Sequence, residues 1–227
     1  MSRLAPSILS LLILCGALAC PRADAAVALL RVGADAACDY RTDTLPNALQ
    51  SAIDAVPMTI PAGDSYVIRV ARSGSYSGKS YQLRNRSVVI EGGHETCDSA
   101  SPGSSNTVLD GTGNPANALL RILRTADSPD NLRREALLRK LTLRNNAGGG
   151  AGGGLLVRGA NVRLEGVAIS NNSAASGAGI YTDGQAPGAR VWLDASSLVT
   201  DNTAQTGGGG IRCSTGGELI LSPIPSW

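Results

Sequence analysis

The sequence predicts an all-β fold in which the chain coils into a single parallel β-helix, a solenoid, with a short α-helix at its N-terminal end. Three observations predict it. A segment recurs three times with a period of about 28 residues, apolar and polar residues alternate in short runs, and one stretch alone has helical periodicity. Because phenylalanine is absent and aromatic residues are 3% of the chain, the core has to come from Val, Ile, Leu and Ala.

The first 25 residues have the pattern of a secretory signal peptide. Arg3 precedes an apolar run at 8–19, and small residues close the segment at 23–25. That run is shorter than the roughly 20 residues of a spanning helix, so we expect no transmembrane segment. We expect a secreted or cell-surface protein. Lipid attachment at Cys20 is the alternative, although Ala17 stands where lipoprotein signals usually have leucine.

Export changes how the cysteines are interpreted. Beyond the signal segment the chain contains Cys38, Cys97 and Cys213, and in an oxidising compartment a pair tends to form a disulfide. We favour Cys38 with Cys97 because both lie in the N-terminal region, which leaves Cys213 as the odd thiol. The sequence contains no Cys-x-x-Cys motif and no Cys/His cluster, so we expect neither zinc nor any other cofactor.

One amphipathic helix is predicted, in "TLPNALQSAIDAV" at 44–56. A solenoid exposes its first coil as an open edge, so we expect residues 26–56 to form an N-terminal cap that includes this helix. The β-helix would then span 57–222, followed by a short Pro-rich tail at 223–227. Alternating runs predict strands at 66–71, 87–92, 106–111, 118–123 and 136–143, and the polar stretch at 124–135 predicts a protruding loop.

Each of the three repeats contains the same parts in the same order. An aliphatic residue stands three before an asparagine, a Gly-aliphatic step follows, and a third alternating run ends the repeat. Matching residues of neighbouring coils would stack at roughly 4.8 Å, the spacing of adjacent strands. Stacked amides can both donate and accept hydrogen bonds along the axis. We therefore expect a ladder of Asn146, Asn172 and Asn202.

The glycine-rich stretch "RNNAGGGAGGGLLVRG" at 144–159 matches the Gly-x-Gly-x-x-Gly spelling of a dinucleotide-binding turn. Such a turn opens a helix, whereas here an alternating strand pattern follows, and similar glycine-rich stretches recur at the repeat spacing. We interpret these glycines as corners of the coil. Charged residues are 17% of the chain and the net charge is +2, with no run of Lys or Arg, so nucleic acid is not an expected partner.

The helix is followed by "IRVARSGSYSG", "VVIEGG" and "TVLDGTG" and then by coils marked with glycine and asparagine. In this order the mature chain resembles the pectin-lyase-like superfamily of right-handed parallel β-helices. The repeats resemble the polymorphic outer membrane protein repeat, with its motifs Gly-Gly-Ala-Ile and Phe-x-x-Asn. The stretch 208–211 approaches the first motif, and Leu143, Ile169 and Val199 replace the phenylalanine of the second. The resemblance implies a right-handed coil at the cell surface or outer membrane.

The same superfamily contains polysaccharide lyases and hydrolases, but the chain carries no complete catalytic signature of these enzymes. The remaining candidates are Glu165 and Asp194, which end equivalent strands and could hold Ca²⁺ or share a proton. Two solvated carboxylates that turn apart are the alternative. The single histidine, His94, has no evident acid–base partner and is interpreted as a loop residue.

Alternation turns Trp192 outward, with Arg163 and Ile220 beside it. Tryptophan beside arginine on a flat sheet suits contact with carbohydrate or with a host or cell-surface protein, although a ring that simply lies on the wall is the alternative. We therefore expect an adhesin-like binding protein, with a polysaccharide-active enzyme or a structural spacer as alternatives. No cap follows the last strand pattern, which favours a truncated chain that self-associates through its C-terminal edge.

Overall fold

The structure is a computed structural model that describes residues 26–61, 64–114, 118–125, 135–184 and 188–221. Over these ranges the chain is nearly all β, its strands pair in parallel, and it contains one α-helix. The predicted all-β class is therefore confirmed. The tail at 223–227, on which the expectation of a truncated chain depends, and the signal segment at 1–25 lie outside these residues.

The elements are short. In chain order they are β1 (Val27–Gly33), β2 (Tyr40–Arg41), α1 (Ala48–Ala55), β3 (Ser65–Ala71), β4 (Tyr81–Arg84), β5 (Val88–His94), β6 (Thr107–Asp110), β7 (Leu120–Leu123), β8 (Glu135–Arg139), β9 (Leu141–Arg144), β10 (Leu155–Arg158), β11 (Asn161–Glu165), β12 (Ala168–Ser170), β13 (Ser173–Ala174), β14 (Ile180–Asp183), β15 (Ala189–Leu193), β16 (Leu198–Thr200), β17 (Thr203–Ala204), β18 (Ile211–Cys213) and β19 (Gly217–Leu221).

The described strands form sheets of eight, five, four and two strands. The eight-stranded sheet has the order β19-β15-β11-β8-β5-β3-β1-β2, the five-stranded sheet β18-β14-β10-β7-β4, the four-stranded sheet β16-β12-β9-β6, and the small one β13-β17. From β8 onward the chain visits the eight-, four- and five-stranded sheets in turn. Strands that are neighbours in the sequence therefore lie in different sheets, and strands one repeat apart lie side by side.

The strand register pairs the residues that the repeat aligns. Leu143 lies beside Ile169 and Ile169 beside Val199 in the four-stranded sheet. The Gly-aliphatic steps are likewise in register, because Leu155 pairs with Ile180 and Ile180 with Ile211. Inward-facing aliphatic residues of all three large sheets pack into one buried cluster, which extends from α1 through β15. The core is thus built from Leu, Ile, Val and Ala with few aromatic rings.

Helix α1 packs its buried residues Ala48, Leu49, Ala52 and Ile53 against the first strands, as the amphipathic pattern predicts. Gln50 accepts a hydrogen bond from the Gln82 N–H at 2.8 Å and donates one to the Gln82 carbonyl at 3.0 Å. Gln82 belongs to β4, the edge strand of the five-stranded sheet. The Gln50 side chain therefore supplies hydrogen-bond partners to backbone groups that have no neighbouring strand. Among the described residues no helix is long and apolar enough to cross a bilayer.

The disulfide between Cys38 and Cys97 is present, as predicted, and links residues 59 apart in the sequence. Both cysteines are buried against Ala71. Gly33 packs directly on the bridge, since a Cβ at this position would come within 2.8 Å of the Cys38 Sγ and 3.0 Å of the Cys97 Sγ. Cys213 is an exposed free thiol, which agrees with its expected role as the odd cysteine.

The structure differs from the sequence-based elements in two places. The segment 26–56, expected to be a cap, begins with β1, which pairs with β3 inside the eight-stranded sheet. The run 136–143, expected to be one strand, is the two strands β8 and β9, because Lys140 adopts a left-handed φ of 50° and turns the chain between sheets. Of the predicted loop at 124–135, residues 126–134 lie outside the described ranges.

A hydrogen-bonded corner follows β6 at Asp110. Its carboxylate accepts bonds from the Thr112 N–H at 3.0 Å, the Asn145 amide at 2.9 Å and the Arg144 Nε at 3.0 Å. Burial of the carboxylate opposes its ionisation, but hydrogen bonds from Thr112, Asn145 and Arg144 outweigh burial and lower the pKa of Asp110 to about 2. Asn145 is itself held at a φ of 58°, so the carboxylate links a strained corner after β9 to the end of β6.

We expect this corner to make stability depend on acid pH. Because the folded pKa lies below the unfolded one, the ionised carboxylate contributes fully above about pH 4, and the contribution is lost between about pH 4 and pH 2. The Asp110 side chain is only 16% exposed, so the contribution should approach about 2 kcal/mol. Urea unfolding from pH 2 to pH 7 should show a correspondingly shallower acid slope in Asp110→Asn. An identical slope in both proteins would contradict this assignment.

Candidate binding face

The outer face of the eight-stranded sheet carries a continuous row of mostly apolar side chains. Each residue lies in register with the next on the neighbouring strand. We call this the central row, and it consists of Leu29, Val67, Val89, Leu137, Arg163, Trp192 and Ile220. Outward-facing sheet positions are ordinarily polar, whereas most members of this row are half-buried and Leu29 is exposed. A contiguous apolar strip on a surface marks an interaction site.

Trp192 and Arg163 are in contact within this row. The Arg163 guanidinium lies 5.4 Å from the centre of the Trp192 ring, a cation–π arrangement. Its Nε donates to the Glu135 carboxylate at 3.0 Å, and the arginine is buried. The structure therefore brings together Trp192 and Arg163, the pair selected from the sequence. It also adds Glu135, which the sequence analysis did not select. Arg163 orients the ring, and the half-buried Trp192 is the member with accessible area.

A shallow groove of about 430 Å³ runs over the middle of the central row. Its floor contains Val89 and Leu137, and its walls include Ile60, Tyr66, Glu135 and Arg163. Apolar surface with a few polar groups at the rim is the usual composition of a ligand site. The groove follows the row across several strands, so it suits an extended ligand that lies along the stacking direction.

A second row, of charged side chains, runs beside the central row, and opposite charges face each other from Arg69 onward. It contains Arg31, Arg69, Glu91, Arg139 and Glu165, again in strand register. Arg139 donates through Nε to Glu165 and lies 4.0 Å from the Glu91 carboxylate. Opposite charges on neighbouring strands stabilise a sheet. The sequence-selected Glu165 is thus held by an arginine and is not available as one of two free carboxylates.

Asp194 lies just beyond this charged row. Its carboxylate accepts hydrogen bonds from the Ser196 and Ser197 hydroxyls and from the Gly166 N–H at 3.2 Å. Burial opposes ionisation, but these hydrogen bonds outweigh it and lower the pKa of Asp194. Asp194 and Glu165 line one cleft of about 220 Å³ together with Glu91, Arg139 and Lys140. The cleft therefore collects three carboxylates and two cations.

The described residues give no support for a metal at these acids. One group of three potential ligands has its ligand atoms within 4.8 Å of one another in the described ranges, and it is Asp35 with Cys38 and Cys97. Both of those cysteines belong to the disulfide, so their sulfurs are not thiolates. Asp35 instead accepts hydrogen bonds from the Cys97 N–H at 3.1 Å and from the Ser73 hydroxyl at 2.8 Å.

The three repeat asparagines form a continuous hydrogen-bonded ladder. The Asn172 Oδ1 accepts the Asn146 N–H at 3.0 Å, and the Asn172 Nδ2 donates to the Asn202 Oδ1 at 3.0 Å. The ladder has one more member than the repeat showed, because the Asn114 Nδ2 donates to the Asn146 Oδ1 at 2.8 Å. Asn114 follows a "GTG" turn, whereas Asn146 and Asn172 each follow another asparagine directly after a strand. Alignment of the repeats therefore did not find Asn114.

Gly154 and Gly179 make room for the ladder. A Cβ at either position would lie 2.9 Å from the Nδ2 of Asn172 or Asn202, respectively. These glycines therefore allow close approach to the neighbouring repeat. The left-handed corners lie instead at the residues before each ladder asparagine, namely Asn145, Asn171 and Asp201, and at glycines such as Gly152.

His94, which the sequence singled out, and Tyr76 both have structural surroundings. The interpretation of His94 as a loop residue is wrong, because it ends β5 and is fully buried. Tyr76, in the "GSYSG" stretch, is buried with its hydroxyl 2.8 Å from the Ala71 carbonyl and 3.0 Å from the Val32 carbonyl. Burial raises the pKa of Tyr76, so the phenol stays neutral.

Comparison of the chain with protein-family models, with curated proteins and with solved structures found no match in any of the three.

Proposed function

We propose that this chain is an exported right-handed parallel β-helix that binds an extended glycan along the outer face of its eight-stranded sheet. The order in which the chain visits its sheets, with residues one repeat apart in parallel register, supports a coil. The resemblance of the sequence to pectin-lyase-like proteins supports the right hand. The pattern of the first 25 residues and the oxidised Cys38–Cys97 pair support export.

The central row is the observation that carries the binding proposal. It crosses seven strands without interruption, from Leu29 to Ile220, and a linear polymer can contact every strand in turn. Sugar rings present an apolar face and a hydroxylated rim. The Trp192 ring matches the face, and the carboxylates and arginines of the adjacent charged row match the hydroxyls. Repeated weak contacts of this kind suit an adhesin-like surface protein.

Glycan and matrix-protein arrays would identify the ligand. Two matched variants would then test whether the ligand binds on the central row. With the best glycan, Trp192→Ala should weaken binding by at least about tenfold, the range expected for a central aromatic contact. Tyr181→Ala, on the outer face of the five-stranded sheet, is the aromatic control and should leave binding within about twofold. Equal losses in both variants would contradict the proposal, and a matrix protein as the sole hit would replace the glycan.

A polysaccharide-active enzyme is the second candidate, favoured by the three carboxylates that line one cleft. Incubation with pectic and other acidic glycans, with and without Ca²⁺, should be followed by absorbance of unsaturated products and by reducing ends. Turnover that is lost in Glu165→Ala or Asp194→Ala would establish the enzyme and overturn simple binding. Arrays and activity assays that are both blank would favour a structural spacer.

Self-association through the C-terminal edge is a further part of the proposal. The edge strands β16, β18 and β19 end the described sheets on the same side. Their inward residues Val199, Ile211 and Leu219 are only partly buried, where Ile169, Ile180 and Val191 in the preceding strands are fully buried. The inward Leu221 is 73% exposed, and Leu198, which lies on the outer side next to Val199, is 58% exposed. Unpaired strand edges with apolar ends promote edge-to-edge pairing.

We expect sedimentation velocity to detect a concentration-dependent dimer. The double variant Leu198→Lys/Leu221→Lys should shift it to monomer, because two charges per edge oppose its burial. Met58→Lys adds one charge at an exposed apolar residue away from this edge and should leave the dimer intact. A wild-type monomer at all concentrations would contradict the expectation.

A further inference from the structure

His94 is the sole histidine of the chain, and its side chain is fully buried at the end of β5. Its ring meets an acceptor on each side. Nδ1 lies 3.1 Å from the Ser99 carbonyl oxygen, and Nε2 lies 3.1 Å from the Glu91 Oε2. Ser99 belongs to the segment 95–106, which contains Cys97 of the disulfide and joins β5 to β6.

The hydrogen-bond chemistry fixes how many protons this arrangement holds. A carbonyl only accepts, so Nδ1 must carry a hydrogen. An ionised carboxylate also only accepts, so a bond to Glu91 requires a second proton between Nε2 and Oε2. Without it, a buried nitrogen lone pair would face a carboxylate oxygen, which leaves a buried polar atom unsatisfied and costs stability.

Charged groups surround the Glu91 carboxylate. The Glu91 side chain is 18% exposed, and Arg139 lies 4.0 Å from its other oxygen. Arg69 is its register neighbour on β3. Arg139 stabilises the ionised carboxylate. Other charged groups lie near the pair. The Arg72–Glu95 ion pair lies beside the His94 backbone, and Glu165 is bound to Arg139. Lys140 lies beside Gly93, and Asp35 and Asp98 lie around the disulfide.

We propose that His94 is a positioning residue that uses a shared proton to hold Glu91 in the charged cleft and the segment 95–106 against β5. In its protonated state the imidazolium bridges Glu91 and Ser99, so the cleft carboxylate and the segment are fixed together.

The single histidine permits a direct test by nitrogen-15 NMR. In wild-type protein both ring nitrogens should carry a slowly exchanging hydrogen, because each nitrogen faces an acceptor. In Glu91→Gln the hydrogen on Nε2 should be lost or should exchange at least about tenfold faster, since a neutral amide replaces the carboxylate. Glu165→Gln removes the other carboxylate bound to Arg139 without touching His94, and should change the exchange of the ring hydrogens less than about threefold.

Hydrogen exchange gives an independent readout. Protection of amides 95–106 should be severalfold lower in His94→Leu than in wild-type protein, whereas His94→Gln, which can still bridge Glu91 and Ser99, should retain most of it. A wild-type ring with a hydrogen on Nδ1 alone, or equal exchange of the Nε2 hydrogen in wild-type and Glu91→Gln, would overturn the proposal. Neither measurement depends on a ligand, so the outcome is separate from that of the binding proposal.

Discussion

Replacement of Cys38 and Cys97 by serine is expected to lower the free energy of unfolding by about 4 kcal/mol, the loop-closure entropy of a bridge that spans 59 residues. The pair ties the turn after β1 to the segment after β5, two strands of the eight-stranded sheet that are separated by β3. Without the bridge the unfolded chain gains freedom, while Gly33 and Ala71 lose packing.

Urea unfolding of the double variant beside wild-type protein measures this loss. Cys213→Ser is the matched control, because its thiol is exposed and free, and its stability should stay within about 0.5 kcal/mol of wild type. Non-reducing peptide mapping should find Cys38 linked to Cys97. A loss below about 1 kcal/mol in the double variant, or Cys213 found in the bridge, would contradict this account.

The second large effect is expected at the centre of the asparagine ladder. Asn172 is buried, and its side chain bonds Asn146, Leu143 and Asn202. Asn172→Ala leaves a buried N–H and a buried carbonyl without their partner, and we expect a loss of about 3 kcal/mol or more. Asn172→Asp should be worse still, because a carboxylate would face the Leu143 carbonyl and the Asn202 Oδ1.

Thermal and urea unfolding of these variants should be compared with Asn171→Gly. Asn171 is the exposed neighbour at a φ of 53°, where glycine is unstrained, so its loss should be at most about 0.5 kcal/mol. If Asn172→Ala were as stable as Asn171→Gly, the ladder would not be a significant contribution to stability.

The repeat determined most of what the sequence could predict. Residues that match across the repeats, such as Leu143, Ile169 and Val199, occupy equivalent strand positions, and the register places them side by side. The same logic placed Arg163 beside Trp192, because alternation sets the outward side and alignment sets the neighbour. Local periodicity and one internal alignment therefore sufficed for the strands of the three repeats.

The strands before the repeats lack that alignment, and there the sequence was less informative. β1 was assigned to the cap because nothing in "VALLRVG" indicates that its partner is β3, about 38 residues later. Lys140 carries no turn signature, since a lysine at positive φ is uncommon and only tertiary contacts impose it. His94 appeared isolated because its partners, Glu91 and Ser99, become hydrogen-bond partners only once the segment folds back.

The central row was likewise not visible as a whole. Alternation identified Trp192 as outward-facing, but Leu29, Val67, Val89 and Leu137 could be joined to it only by the strand register of coils that the repeat does not cover. Ordinary outward valines and leucines attract no notice singly. Their alignment along one line is what distinguishes a binding surface from scattered apolar residues.

The affinity of the array-identified glycan for a variant with a charge in the middle of the central row tests the binding claim most directly. Leu137→Arg should weaken binding by at least about tenfold, because it places an uncompensated cation on the groove floor. Ser170→Arg puts the same charge on the outer side of the four-stranded sheet and should leave the dissociation constant within about twofold. Unchanged affinity in Leu137→Arg, or a comparable loss in Ser170→Arg, would contradict binding along this face.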